Sequence, residues 1–335
     1  MKQRLVVCGG SGGEAWLAVR AWLAVGRYDD VAVYCDDPLA CAARAEALGV
    51  VPILDRGALF DDDTVAAVHL LGGLRGRDET LVALLDRGHR VLASPPLCER
   101  GDGAALVAAA GSGRLRDAAL IPWLPAFAEG LRRVHANHIG RLEQVRFRSI
   151  VAGLGGWDAG LNPDCPLRDE PPPLGLAATL RRELAVTLPL AQAVLGPVVE
   201  FSVQAPRREP PYSAIVTWRH RGHARHGVLE LTVTPGRTLR SPYAARDDSA
   251  EITGTAGILW VGGLRGGPSM VPPLRLYRGA TLLEPEPPTG GWPAAWLAMA
   301  QHAPAVDPAE LRQRAACLVA AEQALFTGDR VVVDP

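Results

Sequence analysis

RLVVCGGSGGEAW, residues 4–16, is the stretch on which the fold turns. Residues 4–9 (RLVVCG) form a short run rich in Val and Leu, the composition of a buried strand. Glycines follow at once, and LAVRAWLAV (17–25) then spaces its apolar residues along one helical face. A strand that passes through a glycine turn into a helix opens a βαβ unit. The same rhythm continues outward. VAVYC (31–35) reads as a second strand, ended by Asp36, Asp37 and Pro38, and LACAARAEALG (39–49) as a helix closed by Gly49. Short strands at 51–54 and 66–71 (AAVHLL) follow. Next come a helix at 77–88 (RDETLVALLDRG) and a fifth strand, HRVLAS (89–94), broken by Pro95 and Pro96. Strand and helix in strict alternation predict a parallel sheet covered by helices.

Past about residue 122 the rhythm changes. A helix (PAFAEGLRRVHANH, 125–138) leads to a strand (RLEQVRFRSI, 141–150), a loop of Gly, Pro and Asp over about 151–174, and a helix over about 176–195 ending at Gly196. Strands then come in succession: VEFSVQA, AIVTWRH, GVLELTV, AEITGT, ILWVG and LRLYRG. They alternate in polarity and are joined by glycine-containing turns, which predicts a mostly antiparallel sheet. Two helices (291–301 and 309–326) and a strand, RVVVD, close the chain, and they can pack back on the first domain. The expected architecture is α/β: an N-terminal Rossmann-type domain over 1–122 and an α+β domain over 123–335.

Composition agrees with this and narrows the function. At roughly 100–200 residues per domain, 335 residues suggest two domains. A net charge of −1 asks for neither nucleic acid nor a membrane surface as partner. No Cys-x-x-Cys pair occurs among Cys8, Cys35, Cys41, Cys98, Cys165 and Cys317, so no metal is expected. Cys8 and Cys35 lie in apolar runs, as small hydrophobes do. Reduced cysteines and an N-terminus without a signal-peptide pattern point to the cytoplasm. The only lysine is Lys2; every other Lys-or-Arg position is arginine, which does not give up its proton and cannot serve as an acid or base.

Gly10, Ser11, Gly12, Gly13, Glu14 and Ala15 fit G-x-G-x-x-A between strand and helix. Gly10 permits the tight turn, Gly12 lets a pyrophosphate approach the backbone, and Ala15 lets helix and strand pack closely. The helix N-terminus offers unpaired N–H groups to the phosphates. The expected ligand is therefore NAD or NADP; the glycines alone would also serve a merely close turn. Glu14 brings an anion near the phosphates. At the end of the second strand Cys35 and Asp36 compete for the place of the ribose-binding acid. If Asp36 reaches the 2′-hydroxyl, NAD is favoured over NADP, because a 2′-phosphate would meet a carboxylate. Arg75 and Arg77 follow the fourth strand at the carboxyl edge. They are placed either to hold a phosphate or carboxylate, or simply in a solvated loop and helix start.

GHRVLASPPL, residues 88–97, resembles the G-K-H-V-L-x-E-K-P-L stretch of the glucose–fructose oxidoreductase / inositol dehydrogenase (Gfo/Idh/MocA) family. HIGRL (138–142), DDSAEITGTAG (247–257) and the stretch from Ala316 to Val333 resemble later elements of the same family, in order and spacing. The resemblance implies an NAD(P)-binding Rossmann domain, a second domain with an open sheet, sugar- or cyclitol-like substrates, and homo-oligomers built on that sheet. It also implies departures. Ser94 stands for the glutamate of E-K-P and Pro95, beside the cofactor, for its catalytic lysine. The family's D-x-G-x-H-x-x-D positions fall on Arg182, Leu184, Val186 and Pro189, and its N-x-R/H-x-x-P segment reads Leu120 to Pro125. Alcohol oxidation needs a group to hold and move the hydroxyl proton, and proline has none. The chemistry is then either reduction of an imine or enone, or it uses a replacement acid/base such as Glu183, Asp164 or a histidine.

Other polar residues have plainer readings beside the functional one. His135 and His138 suit a helix C-terminus. His220, His223 and His226, spaced by three in a hairpin, suit a sheet edge better than a metal. Trp157, Asp158, Asp164 and Arg168 lie in the long loop, either a lid over a ligand or a surface excursion. Tyr212 and Tyr243 either donate a proton or pack. Three functions remain open: an NAD(P)-dependent oxidoreductase of small molecules, a non-catalytic dinucleotide-binding or partner subunit, and a lyase or hydrolase that recycles its cofactor.

Overall fold

The computed structural model describes residues 3–10, 12–99, 103–151, 175–209, 211–222, 225–233, 246–262, 274–285 and 291–333. Among these, one compact unit holds the residues up to Leu120 together with Pro293–Ala315, and a second holds the rest.

The first unit alternates β1 (Arg4–Cys8), α1 (Gly12–Val25), β2 (Asp30–Tyr34), α2 (Pro38–Leu48), β3 (Val51–Ile53), α3 (Arg56–Asp61), β4 (Val65–Leu70), α4 (Arg77–Asp86), β5 (Arg90–Ala93), α5 (Ala104–Ala110) and β6 (Leu115–Asp117). The strands form one sheet in the order β3-β2-β1-β4-β5-β6, all parallel. This is the doubly wound arrangement expected from the alternation. β1 and β4 are nearly continuous apolar runs because both faces of a parallel sheet are covered: Leu5, Val6, Cys8, Val68 and Leu70 are fully buried. Each such leucine stabilises the fold by about 1.5–3 kcal/mol through removal from water.

Local chemistry sets the element ends. Asp37 caps α2, its carboxylate accepting from the amides of Leu39 and Ala40, and Pro38 opens the helix where no N–H is needed. Gly49 ends it in the left-handed region, as a C-terminal glycine does.

The second unit opens with a short 3-10 turn (Ile121–Trp123) and continues with α6 (Pro125–His135), β7 (Leu142–Val151), α7 (Leu176–Leu195), β8 (Val198–Gln204), β9 (Tyr212–His220), β10 (His226–Val233), β11 (Arg246–Gly254), β12 (Gly257–Gly262), β13 (Leu274–Arg278) and β14 (Thr281–Leu283). Two helices, α8 (Gly291–His302) and α9 (Pro308–Thr327), and a last strand, β15 (Val331–Val332), complete the chain. The sheet runs β14-β13-β12-β11-β7-β10-β9-β8-β15. Every pairing is antiparallel except β10 with β7. β9 alternates buried and exposed without a break, so one face of the sheet packs inward while the other carries Ile215, Thr217 and Arg219 outward. Pairs such as Arg146–Glu230 and Arg219–Glu200 lie on that outer face. No helix among the described residues is long and apolar enough to cross a membrane.

Candidate functional site

In the six-stranded sheet the chain leaves β1 toward β2 on one side, while β4 and β5 continue on the other. The crevice at the carboxyl ends of β1 and β4 is therefore the topological switch point, where open α/β sheets bind ligands. The glycine turn lies there. Gly9 and Gly10 have φ of +73° and +81°, a region that side chains rarely enter. Both are also hemmed in. A Cβ on Gly9 would come within 2.7 Å of the Gly72 carbonyl oxygen, and one on Gly10 within 2.5 Å of Leu71 Cδ1.

Hydrogen bonds fix the turn to its neighbours. Gly9 N–H donates to Tyr34 O at 2.9 Å, Gly10 N–H to Gly72 O at 2.6 Å, and Leu71 N–H to Cys8 O at 2.8 Å. Arg44, on α2, reaches the carbonyl oxygens of Gly9 and Gly10. Gly12 and Gly13 begin α1, whose first-turn amides have no partner within the helix and suit an anion. Ala15 is 1% exposed, so the small residue does permit close helix–sheet packing. Ser11 lies outside the described residues.

Asp36 follows β2 with an exposed carboxylate that accepts the Arg75 amide at 2.6 Å. The Cys35 thiol instead points to the Asp37 carbonyl oxygen, 3.4 Å away. Burial foremost, with Cys41 next to it, pushes Cys35 up to about 11, so it is a neutral thiol. Of the two competitors at this position, Asp36 is the one that offers negative charge. Its contact on the far loop is the backbone of Arg75; that residue's guanidinium is exposed.

Arg77 is not solvated at all. It is 1% exposed, and its guanidinium donates to three carbonyl oxygens, those of Leu71 (3.0 Å), Pro96 (2.8 Å) and Ser94 (2.5 Å). Burial pulls its proton affinity down, and Glu99, Asp78, Cys98 and Glu14 oppose that shift. Asp78 accepts the Glu99 amide at 2.9 and 3.1 Å. Pro95 is half-buried and joined to Pro96 by a cis peptide bond.

The proposed acid/base residues divide differently. Asp164 lies outside the described residues, as do Trp157, Asp158, Arg168, His223 and Tyr243. Glu183 is 1% exposed in the second unit, where Ser149, on β7, donates to its carboxylate at 3.1 Å. Tyr212 donates to Thr179 at 2.8 Å beside it, and burial, then Glu183, raises the phenol above its usual range. These four form a buried polar cluster between α7 and the sheet. The aligned positions Arg182, Val186 and Pro189 are half-buried and Leu184 is buried.

His220 has both ring nitrogens engaged: Trp218 donates to Nε2 at 3.0 Å and Nδ1 faces Gly196 O at 2.6 Å. It ties the end of α7 to β9. No three His, Cys, Asp or Glu side chains among the described residues converge as metal ligands do.

No family model matches the chain, and no curated protein matches it. Solved structures match over its whole length. Levoglucosan dehydrogenase in complex with NADH is 15% identical, with a TM-score of 0.73 and 100% of both chains covered. An oxidoreductase from Agrobacterium radiobacter in complex with NAD+, L-tartaric acid and magnesium is 15% identical, with a TM-score of 0.72 and 99% of both chains covered. The WlbA dehydrogenase from Bordetella pertussis, in complex with NADH and UDP-GlcNAcA, is 16% identical, with a TM-score of 0.67 and 100% of both chains covered. At these identities the likeness establishes the fold.

Proposed function

We propose that the protein is an NAD(P)-dependent oxidoreductase of the Gfo/Idh/MocA type, acting on a small molecule through a non-standard active site, with NAD favoured over NADP. The observation that carries this is the glycine turn at the switch point. Two glycines at positive φ deliver the chain into α1 at the place where a pyrophosphate meets helix amides. Asp36, exposed at the end of β2, is positioned to accept from ribose hydroxyls and to repel a 2′-phosphate. The match in fold to proteins solved with NAD+ or NADH supports the reading.

Binding by the first unit orients the cofactor, and the cofactor supplies hydride. The protein's own proton handling is reduced, with Ser94 and Pro95 in place of Glu and Lys. Substrates whose reduction leans mainly on hydride, such as imines or enones, suit that site better than alcohols do. Sugar- or cyclitol-like substrates then require a replacement acid; Asp164 remains a proposal, and Glu183, buried and bonded to Ser149, serves only if that cluster opens to substrate. The outer face of the nine-stranded sheet is the proposed homo-oligomer contact.

Trp16, on α1 near the turn, makes a direct test possible. NADH should quench tryptophan fluorescence saturably, and NADPH should bind at least about tenfold more weakly. Asp36→Ala should narrow that gap. No quenching by either nucleotide overturns the reading. A second reading is favoured by one observation, the proline at the lysine's place: a subunit that binds dinucleotide or a partner without turnover. Saturable quenching with no NADH consumption across sugar, cyclitol, imine and enone panels would select it.

A further inference from the structure

Arg77 and Asp78 are adjacent residues at the start of α4, and between them they hold residues 94–99, which follow β5. Arg77 grips the carbonyl oxygens of Ser94 and Pro96, and Asp78 grips the amide of Glu99. The Cys98 thiol also lies 3.7 Å from the Asp78 carboxylate. Through Leu71 O the same guanidinium reaches the end of β4. One buried cation therefore joins the carboxyl ends of two neighbouring strands. A fully buried guanidinium is expensive to desolvate, and here three carbonyl oxygens answer it. What Arg77 adds is direction: it turns the carbonyls of Leu71, Ser94 and Pro96 toward itself and fixes the course of 94–99.

That loop has a definite place in the dinucleotide reading. The pyrophosphate belongs at the turn after β1 and the adenosine beside Asp36 after β2. The nicotinamide half then falls across the switch point, on the β4–β5 side. We propose that Arg77, with Asp78 beside it, is a positioning residue that fixes the loop flooring the nicotinamide half of the site. The inference rests on the dinucleotide reading above and adds a residue pair to it.

ADP-ribose separates the two halves, since it keeps every part of NADH except the nicotinamide ring. Calorimetric titration of the full chain with NADH and with ADP-ribose supplies the test. Arg77→Met should raise the NADH dissociation constant about tenfold while changing that of ADP-ribose less than about twofold. Arg77→Lys, which keeps the charge but not the three-way fork, should fall between. Should Arg77→Met fail to fold, Asp78→Ala releases the far end of the same loop with the guanidinium left in place. It should show the same asymmetry at about threefold. Equal weakening of both ligands, or of neither, overturns the positioning role and leaves the dinucleotide reading standing. Absence of binding of both ligands to the wild-type chain overturns both.

Discussion

Arg44, half-buried on α2, donates to the carbonyl oxygen of Gly10 at 3.2 Å, and the same nitrogen lies 3.2 Å from the carbonyl oxygen of Gly9. The oxygen side of the glycine turn is thereby met by a cation.

Arg44→Met should therefore weaken binding of NADH and ADP-ribose alike, by about tenfold, the scale of one lost charge-assisted hydrogen bond. Titration at rising ionic strength checks the electrostatic part: the wild type should lose affinity with salt more steeply than the variant. Affinity unchanged by the substitution would show that the turn needs no cation behind it.

The turn itself predicts a ranking. Gly9→Ala places a methyl 2.7 Å from a backbone oxygen, which cannot swing away, at a φ of +73°. Gly10→Ala meets the Leu71 side chain, whose tip can give more than a backbone oxygen can, although Leu71 is buried and its Cβ lies 3.1 Å away. Left-handed strain costs both about 1–2 kcal/mol, and overpacking adds about 1–3 kcal/mol mainly at Gly9. Urea denaturation should find Gly9→Ala the more destabilised of the two; the reverse order would contradict the geometry.

This turn was legible in the sequence because its cause is local: glycines between an apolar run and a helical pattern. The strands of the first sheet were legible because burial on both faces leaves unbroken apolar runs. The short elements α3, α5 and β6 were not. AALVAAA has no polar face to set a period, and LRD reads as a charged loop until Asp117 is seen against Arg314. Arg77 was indistinguishable from a solvated helix start because its three acceptors are spread over residues 71 to 96. Glu183 likewise reads as an acid free to enter a cleft; only the pairing with Ser149 reveals a buried cluster.

Asp117 and Arg314 lie 2.5 Å apart, with side chains 9% and 18% exposed, and Glu310 meets the same guanidinium. Asp117 also accepts the Ala119 amide. Arg314→Met would strand a nearly buried carboxylate and should cost about 3 kcal/mol. Pairing it with Asp117→Asn should recover part of that loss, because the amide still accepts from Ala119 and carries no charge. Chemical denaturation of the two single variants and the double variant measures the coupling; strict additivity would mean the pair contributes nothing.

His69 gives the fold a pH dependence with a definite sign. It is fully buried on β4, and Trp22 donates to its Nδ1 at 3.0 Å, which leaves the proton of the neutral ring on Nε2. Burial lowers it from 6.5 to about 3. The unfolded chain thus takes up a proton before the folded one does. Stability is full above pH 6.5 and is lost as pH falls toward 3. Between pH 6.5 and 5 the loss from His69 should reach about 2 kcal/mol. Buried His220 shifts in the same direction and adds to the slope. Glu129 stays out of that window: held at about 2 by hydrogen bonds from Arg132 and then Arg133, it gives up its contribution only below its ordinary 4.5. His69→Gln keeps an acceptor for Trp22 but cannot titrate. Denaturation at pH 7, 6.5, 6, 5.5 and 5 should therefore give a markedly flatter stability profile for the variant than for the wild type. Parallel profiles would mean that His69 is protonated in the folded chain as readily as in the unfolded one.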